Sequence, residues 1–462
     1  MKKLLSTTLL LYVKFFAKIA LRLNKPTIIG ITGSAGKTST RNAIFSVLKD
    51  HKKTYMIEKG NSESGVPLGI LGLHVDSIGF SSIHRSLHDW SRILIQSPRN
   101  IFFLKKYAYL IIEMGVDDPQ PPRNMGYLLS IVKPHIAVVL NAFPAHAEQF
   151  ERVITPPITD EKISAAIAHE KCKIITANSQ CRYAIFNADN VATYHELRDS
   201  VVPHATFGSS HENTLQHSSY TVSLEKTKFG YMMKNKKIVI TLKNVVLPNV
   251  LKEAFAAALL VGDYLGIQTD QMISSLENNY TIEPGRNTVL DGIENTTLID
   301  SSYNGPSDGM KAMLALAIQL KQSTKRPLAF VIGDMRELGS QSKEQHESLI
   351  PDIQKHVDYL YTVGPLTHMF IFNKLKKSGH MKNIFSFEGP HEAGQFLKKN
   401  IPYNAIVLFK GSQNTIFLEE TIKYVLKDIK DAERLPRQEK YWLQNKQFML
   451  GNNSHSVSVT SA

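Results

Sequence analysis

The stretch Thr27–Thr40, reading TIIGITGSAGKTST, constrains this chain more than any other. Thr27 to Thr32 is an apolar, β-branched run, followed at once by Gly33, Ser34, Ala35, Gly36, Lys37 and Thr38 and then by the helix-compatible sequence Ser39 to Leu48. A strand that enters a glycine-rich turn and leaves as a helix is the context a phosphate-binding loop requires. The backbone amides can turn towards phosphate oxygens, the helix N-terminus adds its positive end, and Lys37 supplies a mobile ammonium. The Thr38 hydroxyl is then positioned for a phosphate-bound magnesium. Ile31 stands where the common GxxxxGK[ST] pattern has its first glycine, and Gly30 lies one residue too early. The reading is therefore a nucleotide-binding loop distinct from that of an ordinary ATPase or GTPase. A purely structural turn would leave the lysine, the second glycine and both hydroxyls unexplained.

A chain of 462 residues is too long for one ordinary core and suggests two or three domains. Its formal charge of +13 fits anionic ligands, a membrane surface or nucleic acid. No zinc-binding cysteine array, aromatic RNA-recognition pattern or long lysine run accompanies that charge, so nucleotide phosphates explain it more economically and no nucleic-acid partner is expected. The two cysteines, Cys172 and Cys181, support neither a disulfide framework nor a metal knuckle, which makes the cytoplasm the default compartment. Met1 to Leu23 begins with two lysines and an apolar run, but Lys14 and Lys18 interrupt it before it reaches a spanning length. Two readings stay open: an amphipathic helix seated on the cytoplasmic membrane face, or a helix packed on the first domain.

Beyond the loop, Asn42 to Lys49 reads as the first helix and Thr54 to Ile57 as a short strand. Gly60 to Pro67 is a polar, turn-rich segment of the kind that carries ligand contacts at strand ends. Leu110 to Ile112 is a buried-strand candidate ending in Glu113, whose carboxylate can hold magnesium. His135 to Leu140 is a second such strand, leading through Asn141 to His146, a candidate contact for a second divalent ion. Lys171 follows the helical run Glu161 to His169 and precedes an expected strand, Ile174 to Thr176. Ala205 to Leu247 suggests a small antiparallel excursion, and Val250 to Leu265 an alanine-rich helix. Pro284, Gly285 and Arg286 mark an expected interdomain boundary. Past it, strands at Thr297 to Asp300, Leu328 to Ile332, Tyr359 to Val363 and Ala405 to Phe409 alternate with helical stretches, favouring a mostly parallel α/β domain.

TGSAGKTST, IIEMG, NAFPAHAEQF, LIDSSYN, VIGDMRELG and LFKGSQ occur in an order that resembles the Mur ligase family. The likeness is greatest to its MurF-like branch, which joins D-alanyl-D-alanine to a UDP-linked muramoyl tripeptide in cell-wall precursor synthesis. The resemblance implies an α/β fold with a P-loop Mur ligase central domain over 27–283. It further implies a Rossmann-like C-terminal domain over 284–440 that closes over the first, while the residues themselves read as an N-terminal amphipathic helix over 1–26 and a polar tail over 441–462. It implies an ATP-dependent carboxylate-amine ligase using ATP and magnesium, with Gly33 to Ser39, Asn187, Asp189, Arg286, Asp300, Tyr303 and Asn304 serving the nucleotide. Lys37 would bind terminal phosphates, Thr38 and Glu113 one magnesium ion, and His146 a second. Lys171 would be the lysine that many Mur ligases carry as a carbamate, and Arg286 the arginine near the transferred phosphoryl group. Asn61, Ser62, Glu63, Lys410 and Ser412 would approach substrate. Three positions depart from the branch: Ser301 replaces an acidic residue, Gln413 replaces an arginine, and only Asn249 remains of a glycine-histidine-asparagine motif. Only 26 residues precede Thr27, so the usual N-terminal UDP-binding domain is expected to be lacking. Either the two retained domains would then grip the substrate, an accessory partner would supply recognition, or the acceptor would differ from the usual UDP-linked compound. Another peptide or polyglutamate ligase, and an inactive ATP-binding structural or regulatory protein, are the alternatives.

Overall fold

The computed structural model describes residues 2–58, 60–73, 87–144, 147–336, 338–411 and 416–450. The chain divides into two compact units: Met1–Ser219, Phe229–Ile240 and Leu251–Tyr280 form the first, and Tyr220–Lys228, Thr241–Val250 and Thr281–Ala462 the second.

In the first unit, strands β1 (Thr27–Thr32), β2 (Thr54–Met56), β3 (Tyr109–Glu113), β4 (Ile136–Val139), β5 (Tyr183–Asn187) and β6 (His204–Gly208) are parallel, in the order β2-β3-β1-β4-β5-β6. Both faces of these strands are covered, so β1, β3 and β4 read as continuous apolar runs instead of alternating ones. The chain first builds outward from β1 to β2 and β3 and then returns to its other side with β4. The carboxyl end of β1 is thus a topological switch point, the place where open α/β sheets bind ligands. Register aligns Ile31 with Glu113 and Thr32 with Val139, bringing the ends of three strands together there. Strands β7 (Leu215–Val222), β8 (Lys226–Met233) and β9 (Lys236–Lys243) extend the far edge. Lys234 and Asn235, both at positive φ, make the tight turn between β8 and β9.

Helix α1 (Lys2–Asn24) buries Leu9, Val13, Ala17 and Ala20 in the core that also holds Ile28, Leu110 and Leu128. Its inner face therefore packs on the first unit. Among the described residues no helix is long and apolar enough to cross a membrane. Helix α2 (Lys37–Leu48) begins directly after the glycine turn, five residues before the helix start read at Asn42. The expected strand Ile174 to Thr176 is instead the last turn of a helix, Asp160–Thr176. Its β-branched residues favour a strand locally, but Ile163, Ile167, Ile174 and Ile175 share one buried helical face, and packing overrides propensity.

The second unit holds β10 (Thr288–Asp291), β11 (Thr297–Ser301), β12 (Leu328–Gly333), β13 (Tyr359–Val363), β14 (Ile384–Phe387) and β15 (Ile406–Lys410), in the order β10-β11-β15-β12-β13-β14. Only the β10–β11 pair is antiparallel. Met310, Leu314 and Ala317 of the helix Ser307–Thr324 cover one face, and Ala393 and Leu397 of Pro390–Asn400 contribute to a separate core. The sequence reading missed β10 and β14, the two sheet edges. It also assigned 441–462 to a tail, whereas Lys440–Leu450 is a helix. That helix is anchored by Lys446, whose buried ammonium lies 2.9 Å from Glu419 and 2.7 Å from Glu420.

Candidate active site

The glycine turn owes its shape to two close constraints. Gly36 has φ +83°, a left-handed conformation that costs an L-residue with a side chain roughly 1–2 kcal/mol. Gly30, one residue off the common loop pattern, belongs to the sheet: a Cβ there would come within 2.3 Å of Pro134 Cγ. The loop is fixed from the neighbouring strand end. Ser34 N donates to Asn141 O (2.9 Å), Ala35 N to Asn141 Oδ1 (2.9 Å), and Ser34 Oγ to Phe143 O (3.0 Å). Lys37 folds back over the turn and donates to Gly33 O at 2.5 Å. Ser39 lies in the first turn of α2.

Thr38 and Glu113 meet at this edge, with Thr38 Oγ1 donating to Glu113 Oε2 at 3.3 Å. The other carboxylate oxygen of Glu113 pairs with Arg41 Nη1 at 3.0 Å, and both side chains are buried. Arg41 also donates to the carbonyls of Ile57 and Glu58, tying α2 to the segment that follows β2. Asn61 arrives beside this carboxylate, because Gly115 N donates to Asn61 O at 2.8 Å. Ser62 Oγ accepts from Gly65 N, and burial raises the pKa of Glu63 while Arg123 works against that rise.

Lys171 is buried in the helix Asp160–Thr176 and donates to Val116 O at 3.3 Å. Desolvation chiefly, and repulsion from Lys37 next, pull its pKa down to about 7. The Lys37 ammonium is thus near enough to be felt. A relay reaches the loop from the other side: Asn141 Nδ2 donates to Glu253 Oε2 at 3.0 Å, and Asn187 also hydrogen-bonds Glu253. Burial raises Glu253 to about 7. Asp189 lies farther out, accepting from Ser209 N at 2.7 Å and Ser209 Oγ at 2.8 Å. It organises the β6–β7 turn and is not brought to the loop itself.

In the second unit Lys410, at the end of β15, donates to the carbonyls of Ser301 and Asn304 and so shapes the turn after β11. Desolvation and then Arg286 lower its pKa to about 7, with Asp300 opposing. Asp300 is buried and raised to about 6, chiefly by desolvation; its Oδ1 accepts from Ser302 N, while Oδ2 has no hydrogen-bond partner among the described residues. The Tyr303 ring has the Arg286 guanidinium 4.5 Å and the Arg437 guanidinium 5.4 Å from its centre. Arg286 also makes an ion pair with Glu283 at 3.4 Å. Arg437 donates to the carbonyls of Ser302 and Tyr303 and is held by Glu419 at 2.7 Å.

The sequence reading missed Arg41, Glu253 and Arg437. Asn141 offered the one local signal, a polar residue ending an apolar strand. His146 and Ser412, together with Gln413 from the LFKGSQ motif, lie outside the described residues. Among the described residues no group of three or more His, Cys, Asp or Glu is gathered to hold a metal. Magnesium at a nucleotide uses one or two protein oxygens beside the phosphates, and the Thr38 hydroxyl and Glu113 carboxylate suit it in donor type. An unmodified Lys171 amine offers no oxygen.

A family profile described as the Mur ligase middle domain matches residues 31–260, and one described as the Mur ligase, glutamate ligase domain, matches residues 285–413. The UDP-N-acetylmuramoyl-tripeptide--D-alanyl-D-alanine ligase of Rickettsia prowazekii is 26% identical over 87% of this chain and 78% of its own length. The enzyme of the same name from Bacillus subtilis is 23% identical over 86% of this chain and 75% of its own. Among solved structures, the MurF ligase of Thermotoga maritima in complex with ADP superposes with a TM-score of 0.70 at 21% identity, covering 92% of this chain and 84% of that one. A mutant of the L. casei FPGS shares the fold more distantly, with a TM-score of 0.55 at 12% identity over 91% of this chain and 98% of that one.

Proposed function

This chain belongs to the Mur ligase family, and we propose that it is an ATP-dependent ligase of the MurF type, adding D-alanyl-D-alanine to a UDP-linked muramoyl tripeptide. The observation that carries the reading is the convergence of Lys37, Thr38 and Glu113 at the carboxyl end of the central parallel strands, around a turn whose Gly36 is left-handed. The substrates proposed are those for which the similar enzymes are named.

Amide formation from a carboxylate needs a better leaving group than oxide. Transfer of the γ-phosphoryl group of ATP to the carboxylate gives an acyl phosphate. The amine then attacks the carbonyl carbon, the tetrahedral intermediate expels phosphate, and the amine proton passes to solvent. The backbone amides of Gly36 to Thr38, at the N-terminus of helix α2, cradle the phosphates while those of Ser34 and Ala35 hold the loop to Asn141, and Lys37 exchanges its carbonyl partners for phosphate oxygens. Thr38 and Glu113 would hold magnesium, which would supply charge neutralisation at the phosphates. Arg41 orients Glu113 for that role, and Asn141 with Glu253 fixes the loop. Lys171 sits where its ammonium is disfavoured, which supplies the neutral amine that carbon dioxide requires to form a carbamate. The nitrogen bonds the carbon, a proton is released, and two oxygens are presented in place of an ammonium. In the second unit, Arg286, Asp300, Tyr303 and Asn304 are assigned to nucleotide in this reading and Lys410 to substrate, as are Asn61 to Glu63 in the first. The domain limits 27–283 and 284–440 belong to the proposal as well.

The test incubates purified protein with ATP, magnesium, UDP-muramoyl tripeptide and D-alanyl-D-alanine, and identifies peptide product by mass spectrometry alongside ADP and phosphate. Formation of the pentapeptide is expected. Product with glutamate as the only accepted amine would reassign the substrate, and no ADP release with any acceptor would remove the ligase reading altogether.

A further inference from the structure

Helix α1 has a second face that the fold leaves uncovered. Opposite the buried stripe, Leu11, Phe15, Lys18 and Arg22 recur at helical spacing and are exposed, Leu11 by 56% and Phe15 by 59%. Alongside, the helix Leu87–Arg99 and the 3-10 turn Asn100–Lys106 expose Leu94, Ile95 and Phe102, by 44%, 51% and 58%. The two sets are neighbours: the Tyr12 hydroxyl donates to Leu94 O at 2.7 Å, and Asn24 Nδ2 donates to Ile101 O at 2.6 Å.

The charge on these elements has one sign. Lys2–Asn24 contains no Asp or Glu, and Leu87–Lys106 contains only Asp89. Lys18, Arg22, Arg99, Lys105 and Lys106 are all exposed. A soluble polyanion would satisfy the cations but leave the protruding aromatic and aliphatic groups in water. A protein partner's interface centre is usually poor in lysine. Apolar side chains that can enter an acyl boundary, on elements whose long cationic side chains can reach phosphates, match an anionic bilayer surface in both respects.

We propose that this face of the first unit docks peripherally on an anionic lipid surface, with Leu11, Phe15 and Phe102 entering the headgroup boundary and Lys18, Arg22 and Lys105 meeting lipid phosphates. The inference is independent of the reaction proposed above, since it is read without substrate.

The test is co-sedimentation of the full chain with vesicles of phosphatidylcholine alone and of phosphatidylcholine with phosphatidylglycerol. Binding is expected only to the anionic vesicles, and it weakens as salt rises. Lys18→Glu with Arg22→Glu should lower partitioning about tenfold or more. Phe15→Ser with Phe102→Ser should do so while leaving retention on heparin unchanged. Thermal denaturation checks that each variant is folded, and exposure of all four side chains favours that. No vesicle binding by the parent protein, equal binding to neutral vesicles, or indifference of folded variants would overturn the proposal. So would heparin retention without vesicle binding, or a dimer in solution that Phe15→Ser abolishes.

Discussion

Glu113 and Arg41 face each other at 3.0 Å at the carboxyl end of β3, buried, with the second carboxylate oxygen of Glu113 turned to Thr38. The residue suited to magnesium is thus held by a cation from the helix that also carries Lys37, the lysine proposed to bind phosphate. Arg41→Ala leaves that carboxylate buried without its cation and frees the Ile57 and Glu58 carbonyls, so a loss of about 3 kcal/mol is expected. Urea denaturation measures it, and unchanged stability would show that the pair contributes nothing.

Lys37 behaves differently. Its ammonium rests on the loop's own carbonyls, so Lys37→Ala should leave the denaturation midpoint nearly unchanged while lowering kcat at least 100-fold, the scale of one lost donor at a developing charge. Initial rates at saturating ATP check it. Full turnover in the variant would remove Lys37 from the mechanism.

For Lys171, burial lowers the folded pKa to about 7 against an ordinary value of 10.5. Between those values the unfolded chain binds more protons at this site than the folded one, so this group's contribution to stability rises with pH across that window. Lys171→Met should therefore be more stabilising near pH 6 than near pH 10, as read by thermal melts across pH. Supplying carbon-13 bicarbonate should give a carbamate signal that Lys171→Arg lacks, and its absence in the parent protein would reject the carbamate.

Glu253 has the opposite sign. Its folded pKa is raised from 4.5 to about 7, so the stability it lends is complete below the lower value and is lost as pH rises through the higher one. Glu253→Gln keeps a hydrogen-bonding side chain that cannot ionise, and its stability relative to the parent should climb between those two values. A pH-independent difference between the two melting curves would contradict the assigned burial.

Arg437 joins Glu419 to the turn that carries Tyr303. Arg437→Ala removes one of the two cations on Glu419, leaving Lys446, and takes the donors from the Ser302 and Tyr303 carbonyls, so a loss of about 2 kcal/mol is expected. Hydrogen exchange at Ser302 to Asn304 should accelerate more than exchange in β1, and uniform exchange would separate the arginine from that turn.

The glycine turn after β1, the strand that ends in Glu113 and the alternation of strands and helices after Pro284 were all legible in the sequence, because each is written in neighbouring residues. A glycine that must turn left, a β-branched run covered on both faces and a lysine opening a helix act over a few positions. What the tertiary structure decided lies between residues far apart in the chain: Arg41 with Glu113, Asn141 with Glu253, and Arg437 with Glu419. The same holds for the last turn of Asp160–Thr176, where strand-like residues became helical, and for the depressed pKa of Lys171. Local pattern sets which backbone forms, whereas partners and desolvation depend on every element packed around a side chain, and that environment exists only once the sheets are assembled.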